Sequence, residues 1–468
     1  MSQDHDQRSA VTEALPPGPL LASYGDDFTG SAAVMEVMSF AGLDSVMFLA
    51  PPSPERLAAF ADRRCIGIAG IARSRPPAWM DEHLPPIYEA LAGIGAPLIH
   101  YKTCSTFDSA PGIGSIGRAI DLGVATLTPD WVPLLVAAPR IGRYQLFGNL
   151  FAAVAGVGHR LDRHPVMAHH PVTPMNEADL PLHLARQTGR RIGLIDLPTL
   201  QQGQAQAALA AIQGDDRPIV MIDGIDESSL AAAGRLIWQN RQANGFVAGS
   251  QGIEYALVAH WRATGLIPRL PPTMRAAPVE RIAVVSGSCS PVTAGQIAHA
   301  QAHGFAALRL DASRAVDPAA WEAECRRAAQ AALDALGQGA SPMIFTAQGP
   351  DDAAIPALAE ACRSAGMEMA EVNDRIGAGL GDILGAILDQ SRLSRALIAG
   401  GDTSGHATLA LGVDALSAIA EIAPGSPLCR AYADDARRDG LELALKGGQI
   451  GGIDYFSAVR TGGPIGTI

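Results

Sequence analysis

Two adjacent carboxylates, Asp26 and Asp27, stand just ahead of Thr29-Gly30-Ser31. At a strand end such a pair can take a proton from a hydroxyl or bind Mg²⁺. It can equally cap the next helix, where a carboxylate meets free N–H groups and the positive end of the macrodipole. Further on, Lys102 opens the stretch KTCSTFDSAPGIGSIG, in which Ser105, Thr106 and Asp108 add hydroxyls and a carboxylate. Lys102 suits either a ligand carboxylate or plain solvent. Arg140 and Arg143 flank Gly142. Arginine grips carboxylate or phosphate bidentately, or forms a surface ion pair. Together these groups suit a small, hydroxylated, anionic molecule.

A second set has a different character. In RALIAGGDTSGHATLALG, residues 395–412, an apolar run breaks at Gly400-Gly401, and Asp402, Thr403 and Ser404 follow. The helical pattern is expected to begin after Gly405. A strand that ends in glycines and opens into a helix reads as an anion site or as an ordinary capped turn. Ser286 to Ser290, Gln348-Gly349 and Lys446 to Gly451 are similar glycine and hydroxyl loops. No G-x-x-x-x-G-K-S/T motif occurs, so a P-loop nucleotide site is excluded. Gly112-x-Gly114-x-x-Gly117 matches the dinucleotide fingerprint as a string, and a dehydrogenase reading rests on it alone. It follows Pro111 and a polar loop rather than a strand, which counts against that reading. His169, His170 and His183 lack a regular metal spacing and suit capping or core roles.

The elements that must position these residues alternate. Strands are expected at residues 20–24, 45–49, 65–69, 97–101, 132–137, 191–195 and 218–222. Helices are expected at 32–41, 80–94, from Arg118, and near 229–240, with Asn176 capping one that includes Leu180 and Leu184. Residues 158–175 read as an extended excursion. After a proline-rich stretch the pattern resumes, with strands at 282–285, 306–310, 342–346, 396–399 and 441–445 and helices at 294–303 and 376–390. The fold class is α/β: two domains, each with a largely parallel sheet flanked by helices, and an active site in the cleft between them. The expected division is a flexible arm at 1–18, one domain at 19–264, a linker at 265–281 and a second domain at 282–468.

The chain has 468 residues, 48% hydrophobic and 18% charged, enough for more than one core. A net charge of −12 argues against a nucleic-acid partner. Six scattered cysteines without C-x-x-C give neither a zinc ribbon nor a disulfide framework. The polar N-terminus is not a signal peptide, and no apolar run spans a bilayer. The expectation is a cytoplasmic protein without a membrane partner, and a homodimer is compatible with it.

The ordered motifs GDDFTGSAAVMEVMSFAG, YKTCSTFDSAPGIGSIG, VAAPRIGRYQLFGN, HHPVTPMNEADLPLHLARQ, VVSGSCSPVTAGQ, IAGGDTSGHA, EIAPGSP and LALKGGQIGGIDYF resemble the four-carbon acid sugar kinases over almost the whole chain. The resemblance implies an N-terminal domain for the acid sugar and a C-terminal domain for ATP, with Mg²⁺. It implies Asp26 and Asp27 as catalytic. Thr29, Gly30, Lys102, Ser105, Thr106, Asp108 and Arg143 fall on the substrate side. Ser286, Ser288, Gly400, Gly401, Asp402, Thr403 and Gly448 fall on the ATP side. The metal ligands and the proton-accepting aspartate stay open. Many members carry an acid where Cys104 stands, and an arginine-glycine where residues 107–111 intervene here. Their serine and asparagine near Gly448 are Gly447 and Gln449. The altered substrate loop resembles the branch that phosphorylates 3-oxo-isoapionate. Kinases of 3-oxo-tetronate or threonate, and a non-catalytic nucleotide or sugar-acid binding protein, are the alternatives.

Overall fold

Short runs rich in Val, Ile, Leu and Ala, bounded by glycine or polar residues, become buried strands because parallel sheets are covered on both faces. The computed structural model describes residues 14–468 except Ala155, Pro171, Asn244, 270–273 and 465–468. Most of the 1–18 arm and part of the 265–281 linker therefore lie outside the described residues.

The N-terminal half contains β1 (Leu21–Gly25), β2 (Ser45–Phe48), β3 (Cys65–Ala69), β4 (Leu98–Lys102) and β5 (Val132–Leu135). An insert follows, β6 (Arg143–Leu146), β7 (Asn149–Val154) and β8 (Val157–Arg160), then β9 (Ile192–Ile195), β10 (Ile219–Ile222) and β11 (Gly245–Gly249). The C-terminal half adds β12 (Ala283–Ser286), β13 (Phe305–Arg309), β14 (Ser341–Phe345), β15 (Arg395–Ala399), β16 (Ala415–Ala423), β17 (Ser426–Tyr432) and β18 (Glu442–Lys446).

In the first half β2-β3-β1-β4-β11-β5-β10-β9 run parallel, and in the second β13-β14-β12-β15-β18 do. The antiparallel hairpin β16–β17 joins the two blocks, because β17 pairs β18 and β16 pairs β2. The result is one continuous 15-stranded sheet. The strand period of two sorts the core. Val285, Ile398 and Leu443 pack with Trp321 and Leu380 on one face. Val284, Leu397 and Ala444 pack with Ile297 and Phe456 on the other.

Several expectations need correction. The helix after β15 is Gly401–Ala410, so it begins four residues before the end of GGDTSG, with Gly400 as its N-cap and no side-chain cap. Asp402 and Thr403 lie in its first turn. The cap of Leu180–Leu184 is Asp179, whose carboxylate accepts from Leu182 N, not Asn176. Residues 158–175 are not simply extended: they contain part of β8 and the two 3₁₀ turns Leu161–Arg163 and Met167–His169. The strands β6, β7, β11, β16 and β17 were not expected. Among the described residues no helix is long and apolar enough to cross a membrane.

The seam between the blocks is narrow. Ala415 pairs with Phe48 and Leu416 with Met47. Ser417 Oγ donates to Ser45 O at 2.7 Å, and Leu49 N donates to Asp414 O at 2.9 Å. The Phe28–Ser39 helix also crosses it: Gly425 N, in the β16–β17 turn, donates to Glu36 Oε2 at 2.7 Å. Burial pushes the Glu36 carboxyl up to about 8, eased by the Gly425 bond and by Arg140, and raised further by Glu421. A carboxyl whose folded pKa is raised binds its proton more tightly when folded. Stability is therefore greatest below the unfolded carboxyl pKa of about 4.3 and declines as pH rises toward about 8. Glu36→Gln should remove this slope. Its melting temperature relative to the native chain should climb between pH 5 and pH 8.5, and a difference that stays flat across that range would contradict the assignment.

Candidate active site

β1 ends at Gly25, between β3 and β4, so the loops after these three strands converge. Asp26 is buried. Its carboxylate takes two bonds from Arg73, Nη2 to Oδ1 at 2.8 Å and Nε to Oδ2 at 3.3 Å. The same Nη2 reaches Asp27 Oδ1 at 2.8 Å. Asp27 caps the Phe28–Ser39 helix, its Oδ1 accepting from Gly30 N at 3.0 Å. Lys102 Nζ, buried at the end of β4, lies 3.8 Å from that oxygen. Burial pushes the Asp26 carboxyl up, with Asp27 adding to the rise and Arg73 and Lys102 pulling against it.

Gly30 is a requirement of this packing. A Cβ there would stand 2.1 Å from both Asp27 Oδ1 and Lys102 Nζ. Thr29 lies in the same first helical turn.

The loop after β4 forms the next wall. Cys104 Sγ lies 3.0 Å from Thr106 Oγ1, which donates to Asp108 Oδ1 at 2.8 Å. Burial pushes the Cys104 thiol up to about 11 despite the nearby Arg73, so it stays protonated at neutral pH. Burial opposes ionisation of Asp108, but Arg73 and bonds from Cys104 and Thr106 outweigh it and hold the carboxyl low. Ser105 sits half-buried in this turn. Phe107 takes φ +55° and packs edge-on to His183 with ring centres 6.0 Å apart. Ser109 bridges to His183 Nε2 at 3.0 Å. The fingerprint glycines are packing positions: a Cβ on Gly114 would strike the Arg73 carbonyl at 2.4 Å, and one on Gly117 the Gln187 backbone at 2.6 Å.

Arg143, at the start of β6, faces the same group. Its Nη1 donates to Ile141 O, Gly142 O and Ala153 O at 3.1, 3.3 and 3.2 Å. Its Nε is buried without a hydrogen-bond partner among the described residues. Burial lowers the guanidinium's pKa, with the Cys104 sulfur nearby opposing the fall. Arg140 instead lies over the Tyr255 ring, 5.7 Å from its centre.

The second set converges on the adjacent strands β12, β15 and β18. Ser286 and Ser288 follow β12, with Ser288 N donating to Ser286 Oγ at 3.4 Å. Gly400 takes φ +130°, which L side chains rarely adopt, and starts the Gly401–Ala410 helix beside this loop. Thr403 closes against Gly287, where a Cβ would stand 2.3 Å from Thr403 Oγ1. Gly448 lies across from Ser288, whose Oγ is 3.1 Å from where its Cβ would be. Thr293 Oγ1 donates to Gly448 O at 3.1 Å and accepts from Lys446 Nζ at 2.9 Å. Helix-start and loop N–H groups gathered in this way favour an anion.

The two sets adjoin. The residue after Asp27 is Phe28, and its ring lies 3.5 Å from where a Cβ on Gly405 would stand. The Phe28–Ser39 and Gly401–Ala410 helices thus pack against each other near their N-terminal turns.

Sequence reasoning placed the loops but missed Arg73, and it named Lys446 only as the end of a loop. Arg73 falls in none of the quoted motifs, and Lys446 stands inside LALKGGQIGGIDYF without a signal of its own. The Arg73 signal lies in strand order, since β3 flanks β1.

Two family descriptions match. A sugar-binding N-terminal domain covers residues 21–257 and a nucleotide-binding C-terminal domain covers 283–456. The chain is 52% identical over 449 residues to a 3-oxo-isoapionate kinase of Paraburkholderia graminis, covering 96% of each. It is 30% identical to a 3-oxo-tetronate kinase of Cupriavidus necator, covering 94% of this chain and 96% of that one. A solved structure from Salmonella typhimurium LT2 superposes with a TM-score of 0.75 at 26% identity, over 93% of this chain and 98% of that one. Haemophilus influenzae protein HI1011 superposes with a TM-score of 0.71 at 25% identity, over 94% and 99%.

Replacing Arg73 by Leu would leave the buried Asp26 carboxylate without its counter-charge. The expected loss is about 3–5 kcal/mol of stability, read by denaturant unfolding. A loss below about 1 kcal/mol would show that the pair carries no such weight.

Proposed function

This chain belongs to the four-carbon acid sugar kinase family, and from that premise we propose that it phosphorylates 3-oxo-isoapionate with ATP, giving 3-oxo-isoapionate 4-phosphate. The observation that carries the substrate is the 52% identity to a 3-oxo-isoapionate kinase, against 30% for a 3-oxo-tetronate kinase over a similar span. The altered loop from Cys104 to Asp108 supports it, since that loop borders the carboxylate pair.

Arg143 and Lys102 hold the sugar carboxylate. The buried Nε of Arg143, with no partner among the described residues, fits a group waiting for an anion. Ser105, Thr106 and Asp108 meet the substrate hydroxyls. Asp26 is held on both oxygens by Arg73 and serves as the anchor. Asp27, a quarter exposed, takes the hydroxyl proton. The hydroxyl oxygen attacks the γ-phosphorus, the bond to the β–γ bridging oxygen breaks, and ADP leaves. Ser286, Ser288, the N–H groups of Gly401 to Thr403, and Gly448 cradle the phosphates beside Gly400, because phosphoryl transfer depends on positioning and charge. Among the described residues no group of three His, Cys, Asp or Glu side chains assembles a metal cage. Mg²⁺ of the ATP complex would rest on phosphate oxygens, water and one or two carboxylates, neutralising phosphate charge. Closure of the two halves excludes water from the transfer.

The test is ADP release by the purified protein with 3-oxo-isoapionate, 3-oxo-tetronate and threonate in parallel. Turnover is expected to be highest on 3-oxo-isoapionate, and turnover on a tetronate alone would sink the substrate assignment. Asp27→Asn should lower kcat about 100-fold or more while ATP affinity by calorimetry stays close to that of the native chain. Unchanged kcat would remove Asp27 from the chemistry.

A further inference from the structure

The nucleotide-side loops enclose a cation that no acid among the described residues pairs with. Lys446 ends β18 fully buried. Burial alone pushes its ammonium down to about 8, and no neighbouring charge among the described residues bears on it. An ammonium kept out of water without a counter-charge works against folding. Such a group is retained where a negative ligand arrives.

The contacts say what Lys446 connects. Its Nζ donates to Thr293 Oγ1 at 2.9 Å. That hydroxyl donates to Gly448 O at 3.1 Å and lies 3.0 Å from Ser288 Oγ. Ser290 Oγ also donates to Gly448 O, and it accepts from Thr293 N at 3.0 Å. The Lys446 carbonyl accepts from Gly400 N at 2.9 Å. One residue therefore touches the loop after β12 through Thr293, the start of the Gly401–Ala410 helix through its own backbone, and Gly448 through the chain.

We propose that Lys446 is the positioning residue for the nucleotide phosphates. Through Thr293 it locks the 286–290 and 447–448 loops into one surface, and its unpaired charge draws the triphosphate onto that surface beside the start of the Gly401–Ala410 helix. This rests on the kinase reading above. It separates Lys446 from the acceptor side, where Lys102 and Arg143 meet the sugar acid.

The experiment compares the full-length native chain with Lys446→Met, Thr293→Val and Thr293→Ser. ATP affinity is read by calorimetry, stability by thermal unfolding, and KM for ATP and for the sugar acid by ADP release. Lys446→Met should melt at or above the native temperature, since it removes a buried charge. It should bind ATP about 10- to 100-fold more weakly with KM for the acid unchanged. Thr293→Val should lose ATP affinity and Thr293→Ser should keep it. ATP affinity within twofold of native in folded Lys446→Met overturns the proposal. A lowered melting temperature with both KM values rising together also overturns it, because that is a purely structural role. No ATP binding by the native chain would overturn the kinase reading and this assignment with it.

Discussion

Two neighbouring carboxylates at the end of a buried strand repel each other and resist burial. Unit charges about 4 Å apart interact by about 4 kcal/mol at an effective dielectric near 20, well beyond what an exposed ion pair contributes. Arg73 resolves this conflict by reaching both acids with one guanidinium. Its own position depends on Gly114, which lies against the Arg73 carbonyl, and on Gly114 N donating to Arg75 O. The loop after β4 and the acid pair are therefore one assembly. Asp108 is drawn into the same field and kept ionised, while Cys104 stays a neutral thiol beside it.

Much of the fold could be read from the chain because its strands are short apolar runs that end in polar or glycine-rich turns. Residues 65–69 match β3, and the other expected strands lie close to those observed. What escaped was tertiary in origin. ALSAIAEIA, which forms β16, is alanine-rich and carries no strand signal until it pairs with β2 and β17. β8 is largely exposed and lacks an apolar face. GGDTSG misled because glycine, serine and threonine are weak helix formers, yet the chain turns helical at Gly401, directly after the unusual backbone of Gly400. Arg73 could not be found from spacing, since its partners lie 47 and 46 residues away and meet it only through strand order.

The candidate site was legible to a different degree on its two sides. On the nucleotide side the glycine and hydroxyl loops gathered as their motifs implied, because β12, β15 and β18 are neighbours. On the acceptor side the named residues also converge, but what they do to one another depends on burial. Lys102 is locked beside Asp27 by the absence of a side chain at Gly30. The string GIGSIG, which matches a cofactor fingerprint, is explained by contacts with Arg73 and Gln187. A glycine pattern alone does not distinguish close approach to a ligand from close approach to the protein's own backbone.

The narrow seam between the halves bears on modularity. β2 is buried along its whole length and presents Val46, Met47 and Phe48, all apolar, beside β16. Were the chain cut between its halves and each piece made alone, β2 would become a bare apolar edge with unpaired N–H and C=O groups, a template for aggregation. The hairpin that ends in β16 would lose its own cover at the same time. The sheet's natural ends, β13 and β9, are only partly buried strands of four or five residues, which suits them to the outside. Although separate family descriptions match its two halves, one continuous sheet joins them. Exchanging halves between relatives would have to preserve this edge as faithfully as either binding site.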